Sequence, residues 1–303
     1  MYLGIDIGGT TIKGAIMDAN YSLFHHNSIP TKSDSSPTEI LENIIEFIAN
    51  YTHNYDIKSV GIGIPGVVNS EGTVLIAPNL KDFVNISVKK ILEEWFSLPL
   101  ILDNDANVAA YAELYNGAGK NLNNFIYVTL GTGVGGAIIY NSDIFKGNSG
   151  GAGEIGHTFF NNSQIKNINE LYNFRNFSLE SFTGRNAILE LYHQLNPDSN
   201  NKIDVIDIFI LAKKGDKASL KCFEIIGTYL GVGLASAMNL LDIPYVIIGG
   251  GISMTSEFLF PAIERILKSR LLPSLANNFQ IINAKYTKNT GIYGAAMLGK
   301  SIL

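Results

Sequence analysis

Two acids and two amides fall within five residues, Asp103-Asn104-Asp105-Ala106-Asn107, where an apolar run gives way to a helical pattern. Such a cluster stands at the carboxyl edge of a strand, where ligands of open α/β folds bind. Asn104 or Asp105 is also placed to cap the helix that follows, which is ordinary work for either residue type. Two acids and two amides are more than a cap requires.

A second cluster, residues 150–157, reads G-G-A-G-E-I-G-H and ends in an acid and an imidazole three residues apart. Glu154 and His157 can grip the hydroxyls of a small polyol, as can Asn79 and Glu180, although each taken singly also reads as structural. Of the five histidines, His157 is the one in a glycine-dense loop; His25, His26, His53 and His193 lie in polar or helical surroundings and read as surface residues.

Two further stretches carry anion chemistry. Residues 3–17 run L-G-I-D-I-G-G-T-T-I-K-G-A-I-M, an apolar run, a Gly/Thr turn and a second apolar run. The pattern predicts a β-hairpin whose glycines, Gly8 and Gly9, let backbone N–H groups approach a ligand closely. With the hydroxyls of Thr10 and Thr11 and the cation of Lys13 on the same turn, that ligand is an anion such as phosphate. Asp6 is placed to hold a Mg²⁺ through water. Taken alone the stretch also reads as a plain hairpin, but the pattern recurs at residues 125–140, with Gly131, Thr132, Gly133, Gly135 and Gly136 at the bend. Two such hairpins predict a duplicated fold with one turn from each half and a nucleotide between them.

The elements that must position these residues alternate. Beyond the first hairpin, strands are predicted over 21–30, 59–64 and 98–102, and helices over 37–51, 88–96 and 106–115. Pro65-Gly66 ends the second of those strands. After the second hairpin come helices over 179–194, 205–213 and 218–241, a strand over 245–248 ending in Gly249-Gly250-Gly251, a helix over 255–272, a strand over 280–284 and an Ala/Gly-rich helix over 291–302. This alternation predicts an α/β protein with a parallel-containing sheet in each half. Residues 159–177, polar and Asn-rich, read as an irregular loop.

The chain has 303 residues, 16% charged and 46% apolar, with 30 glycines and a net charge of −5. That length accommodates two domains, and the balance gives no basic footprint for nucleic acid. A single cysteine, Cys222, excludes an internal disulfide and reads as a small buried apolar residue. No charged-then-apolar leader is evident, and no apolar run is expected to reach the ~18–20 residues that span a bilayer. The expected location is the cytoplasm, with no membrane partner.

Taken together the motifs resemble the ROK sugar kinases of the actin-like ATPase superfamily. The resemblance rests on D-I-G-G-T-T-I-K-G at 6–14, G-I-P-G at 63–66, D-N-D-A-N at 103–107, L-G-T-G-V-G-G at 130–136, G-E-I-G-H at 153–157 and G-G-G-I at 249–252, in family order over essentially the whole chain. It implies a two-domain fold of the ribonuclease H-like kind with a cleft between the domains. Residues 1–107, completed by the helix at 291–303, would form the first and residues 108–290 the second. It further implies that Asp105 is the general base and that Gly66, Asn79, Asn104, Asp105, Glu154, His157 and Glu180 contact the sugar. The turns at Gly8, Gly9, Thr10 and Thr11 and at Gly131, Thr132 and Gly133 would hold the phosphates of ATP, with Gly249, Gly250 and Gly251 facing the adenosine. Mg²⁺ and a homodimer belong to the same expectation.

One departure stands out. The family's G-H motif is usually followed by a C-x-C-G-x-x-G-C-x-E zinc knuckle, and here Leu171, Asn173 and Ser178 occupy cysteine positions. No structural zinc is expected. Glu180 keeps its place, and the loop is expected to be held instead by Phe159, Phe160, Leu171, Tyr172, Phe174 and Phe177. The implied activity is ATP-dependent phosphorylation of a hexose at its 6-hydroxyl, with glucose first, N-acetylmannosamine second, and fructose, mannose and N-acetylglucosamine behind. Polyphosphate is a lesser donor. The family's other branch, sugar-responsive regulators, adds a DNA-binding segment ahead of the first hairpin, which here begins at Tyr2.

Overall fold

The computed structural model of the chain describes residues 1–160, 170, 173, 175–200 and 202–303. The chain opens with β1 (Tyr2–Ile7), β2 (Thr11–Met17), β3 (Leu23–Pro30) and α1 (Pro37–Asn54). Then come β4 (Ser59–Ile64), the short β5 (Val67–Val68), β6 (Val74–Ile76) and β7 (Val84–Ile86), α2 (Val88–Trp95), β8 (Leu100–Asn104) and α3 (Asp105–Asn116). The later part holds β9 (Phe125–Leu130), β10 (Val134–Tyr140), β11 (Asp143–Ile144), α4 (Leu179–Thr183), α5 (Arg185–Leu195), α6 (Val205–Lys213) and α7 (Lys217–Leu241). It closes with β12 (Tyr245–Gly249), α8 (Ser256–Arg270), α9 (Pro273–Ala276), β13 (Gln280–Asn283) and α10 (Thr290–Ser301).

Two five-stranded sheets have matching orders, β3-β2-β1-β4-β8 and β11-β10-β9-β12-β13, and a small third sheet is ordered β5-β6-β7. In the first, β1 pairs antiparallel with β2 and parallel with β4, which is itself parallel to β8. In the second, β12 lies parallel to both β9 and β13. Parallel strands need crossover helices that cover the sheet, so their residues are buried on both faces. β4 accordingly has no exposed position.

The chain forms two compact units, residues 1–123, 137–152 and 286–303 in one and residues 124–136 and 153–285 in the other. The sequence reading ends the first domain at Asn107; the unit instead retains all of α3. The reason is the carboxylate of Glu113, fully buried at the end of α3, which accepts hydrogen bonds from Ala118 N (2.7 Å) and Tyr286 N (2.8 Å) and so ties the helix to the returning chain. α10 lies on the first sheet, where a β-carbon at Gly61 would collide with the carbonyl of Ala295. Glycine at that position is therefore what lets a helix backbone approach a strand backbone.

α1 begins where Ser36 accepts from Glu39 N and Pro37 opens the first turn; Ile40, Leu41, Ile44, Phe47, Ile48 and Tyr51 face the core. The helix expected over 179–194 is broken at Gly184, whose extended backbone separates α4 from α5. α7 is long and apolar enough to cross a membrane, contrary to the sequence expectation. It is the core helix of the second unit, with Cys222, Phe223, Ile226, Leu230 and Leu234 buried and Gly227 packed against Leu259 of α8. Cys222 is buried as expected, and burial pushes its thiol up to about 12.

Candidate active site

In the first unit the parallel strands end on one line. Asp6 of β1 stands beside Gly63 of β4, and Gly63 beside Asp103 of β8. At this edge β8 runs into α3, and Asn104 rather than Asp105 is the cap: its Oδ1 accepts from Ala106 N (2.8 Å) and Asn107 N (3.3 Å). The Asn104 amide donates to the carbonyl of Gly66 at 2.7 Å, which brings two of the expected sugar contacts together. Gly66 has φ +108, a left-handed conformation suited to glycine. The two acids of the motif part company here. Asp103 is fully buried, and Asp105, the first helical residue, is exposed.

Gly8 and Gly9 form the turn of the β1–β2 hairpin, with Gly8 N donating to Thr11 O at 2.9 Å. Thr31 fastens it: its hydroxyl donates to Gly8 O at 2.6 Å and its N–H to Thr10 O at 2.9 Å. Among the described residues the N–H groups of Gly9 and Thr10 donate to no protein acceptor, so the turn presents donors to a ligand. Asn79 sits beside Gly9, its Cβ 3.3 Å from where a β-carbon on Gly9 would be. Asp6 faces Lys13 across the hairpin, and its carboxyl lies against Gly291 in the first turn of α10. Burial raises the Asp6 pKa, and the Lys13 cation opposes that shift.

The second unit repeats the arrangement. Gly131 N donates to Gly133 O at 3.0 Å, and the N–H groups of Thr132 and Gly133 find no protein acceptor among the described residues. The break at Gly184 has its use here, because it lets Arg185 N, at the start of α5, donate to Gly131 O at 3.2 Å. Glu180 is placed on this turn: its Oε2 accepts from Val134 N at 2.8 Å and lies where a β-carbon on Gly133 would be. The Gly249–Gly251 segment adjoins the same turn, since Gly249 pairs with Thr129 and Gly250, at φ +83, lies against Leu130. Gly251 has open space around it.

Glu154 precedes and His157 ends a 3-10 turn, Ile155–His157, with the imidazole Nε2 3.8 Å from Glu154 Oε2. Burial raises the Glu154 pKa; His157 opposes the shift and Glu180 adds to it. The acids of the turn and of α4 therefore share one electrostatic neighbourhood. Ser178, at a lost cysteine position, is the N-cap of α4, accepting from Ser181 N at 3.3 Å. Asn173 is exposed. Of the residues expected to hold this loop, Phe160 packs its ring on Phe182 and Tyr229 (5.4 and 5.3 Å), and Phe177 meets Phe159 edge-on at 6.5 Å. Phe159 is itself 58% exposed, so it contributes little burial. Leu171, Tyr172 and Phe174 lie outside the described residues.

Residues that sequence reasoning missed are Thr31, which anchors the first turn, and Lys146, whose Nζ is 2.8 Å from Asp103 Oδ2. Neither sits in a motif; each is recognisable through its partner.

The ROK family profile matches residues 2–302. The glucokinase of Halalkalibacterium halodurans is 30% identical over 315 residues, covering 99% of this chain and 94% of that protein. The crystal structure of a ROK family glucokinase from Streptomyces griseus, in complex with glucose and AMPPNP, matches with a TM-score of 0.80 at 27% identity over 99% of each chain. The xylose repressor of Bacillus spizizenii is 28% identical over 302 residues, 98% of this chain and 76% of the repressor. With a profile matched over residues 2–302 and two sheets arranged as in the actin-like ATPase fold of such kinases, this chain belongs to the ROK family.

Proposed function

We propose that this ATP-dependent sugar kinase transfers the γ-phosphoryl group to the 6-hydroxyl of a hexose, glucose being the first substrate to test and N-acetylmannosamine the second. The observation that carries the assignment is the contrast between the two acids of the 103–107 motif. Asp103 is enclosed and ion-paired, and Asp105 stands exposed at the first turn of α3. A general base must reach the hydroxyl it deprotonates. Asp105 meets that condition and Asp103 does not.

In phosphoryl transfer the protein's task is positioning and neutralising charge rather than covalent chemistry. Asn104 and Gly66, already hydrogen-bonded to each other, would contact the sugar, as would Asn79, Glu154, His157 and Glu180. Glu180 has one oxygen engaged by Val134 N–H, so its sugar contact would use the other. The unpartnered N–H groups of the two turns would receive phosphate oxygens, and Gly249–Gly251 would face the adenosine.

Among the described residues no group of three His, Cys, Asp or Glu is placed to hold a metal. Mg²⁺ characteristically takes one or two carboxylates and otherwise water and substrate phosphates. The half-buried Asp6 beside the first turn fits that role through water. The ion, when bound, neutralises charge on the transferring phosphates. EDTA is expected to stop turnover and added Mg²⁺ alone to restore it, with zinc far below one equivalent per chain. Stoichiometric zinc would mean that the 158–177 loop is misaligned with the family's knuckle.

A coupled ADP-release assay over glucose, N-acetylmannosamine, mannose, fructose and N-acetylglucosamine tests the substrate. Turnover with any of them separates a kinase from a sugar-responsive regulator. Asp105→Asn keeps the shape and a hydrogen bond but cannot accept the proton, so kcat is expected to fall about 10²–10⁴-fold. Calorimetry should still show sugar binding in that variant. Near-normal kcat would remove Asp105 from the role. The homodimer is carried as part of this proposal, with light scattering as its measurement.

A further inference from the structure

Asp103 is the last but one residue of β8, and its carboxylate is wholly out of water. Its Oδ1 accepts two hydrogen bonds, from Asn104 N (2.8 Å) and from Asn107 Nδ2 (2.8 Å). Those donors lie on either side of Asp105, so one oxygen braces the backbone before it and the helix turn after it. The other oxygen, Oδ2, faces Lys146 Nζ at 2.8 Å.

Lys146 is far from α3 in sequence and is set in place by its own loop. Ala152 N donates to Lys146 O at 3.2 Å, and Phe145 N donates to Ile138 O at 2.8 Å. A second tie joins the same segment to the same helix, Tyr111 Oη of α3 donating to Asp143 Oδ1 of β11 at 2.8 Å. The helix that begins at Asp105 is thus fastened at its first turn and along its side to residues 143–146.

A buried ion pair is poor evidence of stabilisation, because desolvation offsets most of the attraction and apolar replacements often do as well. What such a pair does supply is a definite geometry, and here that geometry is imposed on the residues flanking the exposed acid. We propose that Lys146 is a positioning residue for the phosphoryl transfer, acting through Asp103 to hold Asp105 where it meets the sugar hydroxyl. The inference rests on the reading of Asp105 as the general base. Lys146 is not among the residues assigned above to the sugar or to ATP. Its ammonium group fixes Oδ2 of Asp103, and without it the carboxyl that makes the two bracing hydrogen bonds loses its anchor.

The test is a cycle of variants assayed with the best hexose of the panel. Lys146→Met is expected to lower kcat about 10–100-fold, the scale of a misplaced catalytic group, with the KM for ATP unchanged. Lys146→Arg keeps the charge and should retain most of the rate. In the Asp105→Asn background, Lys146→Met should lower the residual rate no further, because the group it positions no longer works as a base. A merely structural lysine would cost the same in both backgrounds. If Lys146→Met does not fold, Lys146→Gln replaces it in the same comparison, since it also removes the charge that faces Asp103 Oδ2 while keeping a polar side chain. A kcat within twofold of the parent in Lys146→Met, or equal losses with and without Asp105, overturns the inference. If instead Asp105→Asn itself turns over normally, it is the base assignment that fails, and the two failures are told apart by that single variant.

Discussion

Glu154 and His157 are separated by one short turn, and burial pushes the acid toward its neutral form while the imidazole opposes that shift. A carboxyl whose folded-state pKa lies above its unfolded value favours folding fully below the ordinary glutamate pKa and loses that contribution as pH rises through the raised value. Glu154→Gln is therefore expected to raise Tm relative to the parent at about pH 7–8, the gap closing toward about pH 4–5 where the parent is protonated too. A gap that widens in acid would contradict the assigned direction. The same substitution should weaken hexose binding far more than ATP binding, because Glu154 belongs to neither phosphate turn; calorimetric titration of both ligands measures the split. At this scale the sequence exposed residue types and spacing but not surroundings. Asp103 and Asp105 are indistinguishable as letters, and burial alone separates the ion-paired acid from the exposed one.

Helices here are placed by what their ends and glycines permit. α10 approaches the first sheet because Gly61 offers no β-carbon to the Ala295 carbonyl. Gly61→Ala forces those backbones apart and is expected to cost about 1–3 kcal/mol or more, read as a lower urea midpoint with an unchanged m-value. A neutral result would show that the helix can shift without cost. Strands and helices with strong periodicity were legible in the sequence, α1 and β4 among them, since their apolar spacing matches the face they bury. Gly184 was not, because a glycine can lie within a helix as well as end one; the break is accompanied by a distant contact, Arg185 N–H donating to Gly131 O. Thr31 and Lys146 were missed for a different reason. Their roles exist only across contacts that no window of sequence contains.

Over the whole chain the duplication was legible from two hairpins with one pattern, and the two five-stranded sheets do share a strand order. The boundary was not, because the buried Glu113 binds backbone from two separate stretches of the chain. A hexose that binds the folded protein alone raises its stability by RT ln(1 + [L]/Kd), about 2.7 kcal/mol at a hundredfold excess over Kd. Melting in the presence of each sugar should therefore rank the panel in the order of its affinities, and no shift with any hexose would count against the sugar site. One further consequence follows from Cys222, the lone thiol of the chain, enclosed in α7 with its pKa pushed up to about 12. Burial of the thiol disfavours the reactive thiolate and screens it from reagent, so alkylation must wait for the helix to open. The protein thus contains its own chemical clock: the labelling rate with an excess of iodoacetamide reports how often the second unit's interior breathes, and a nucleotide that grips this unit should slow the clock.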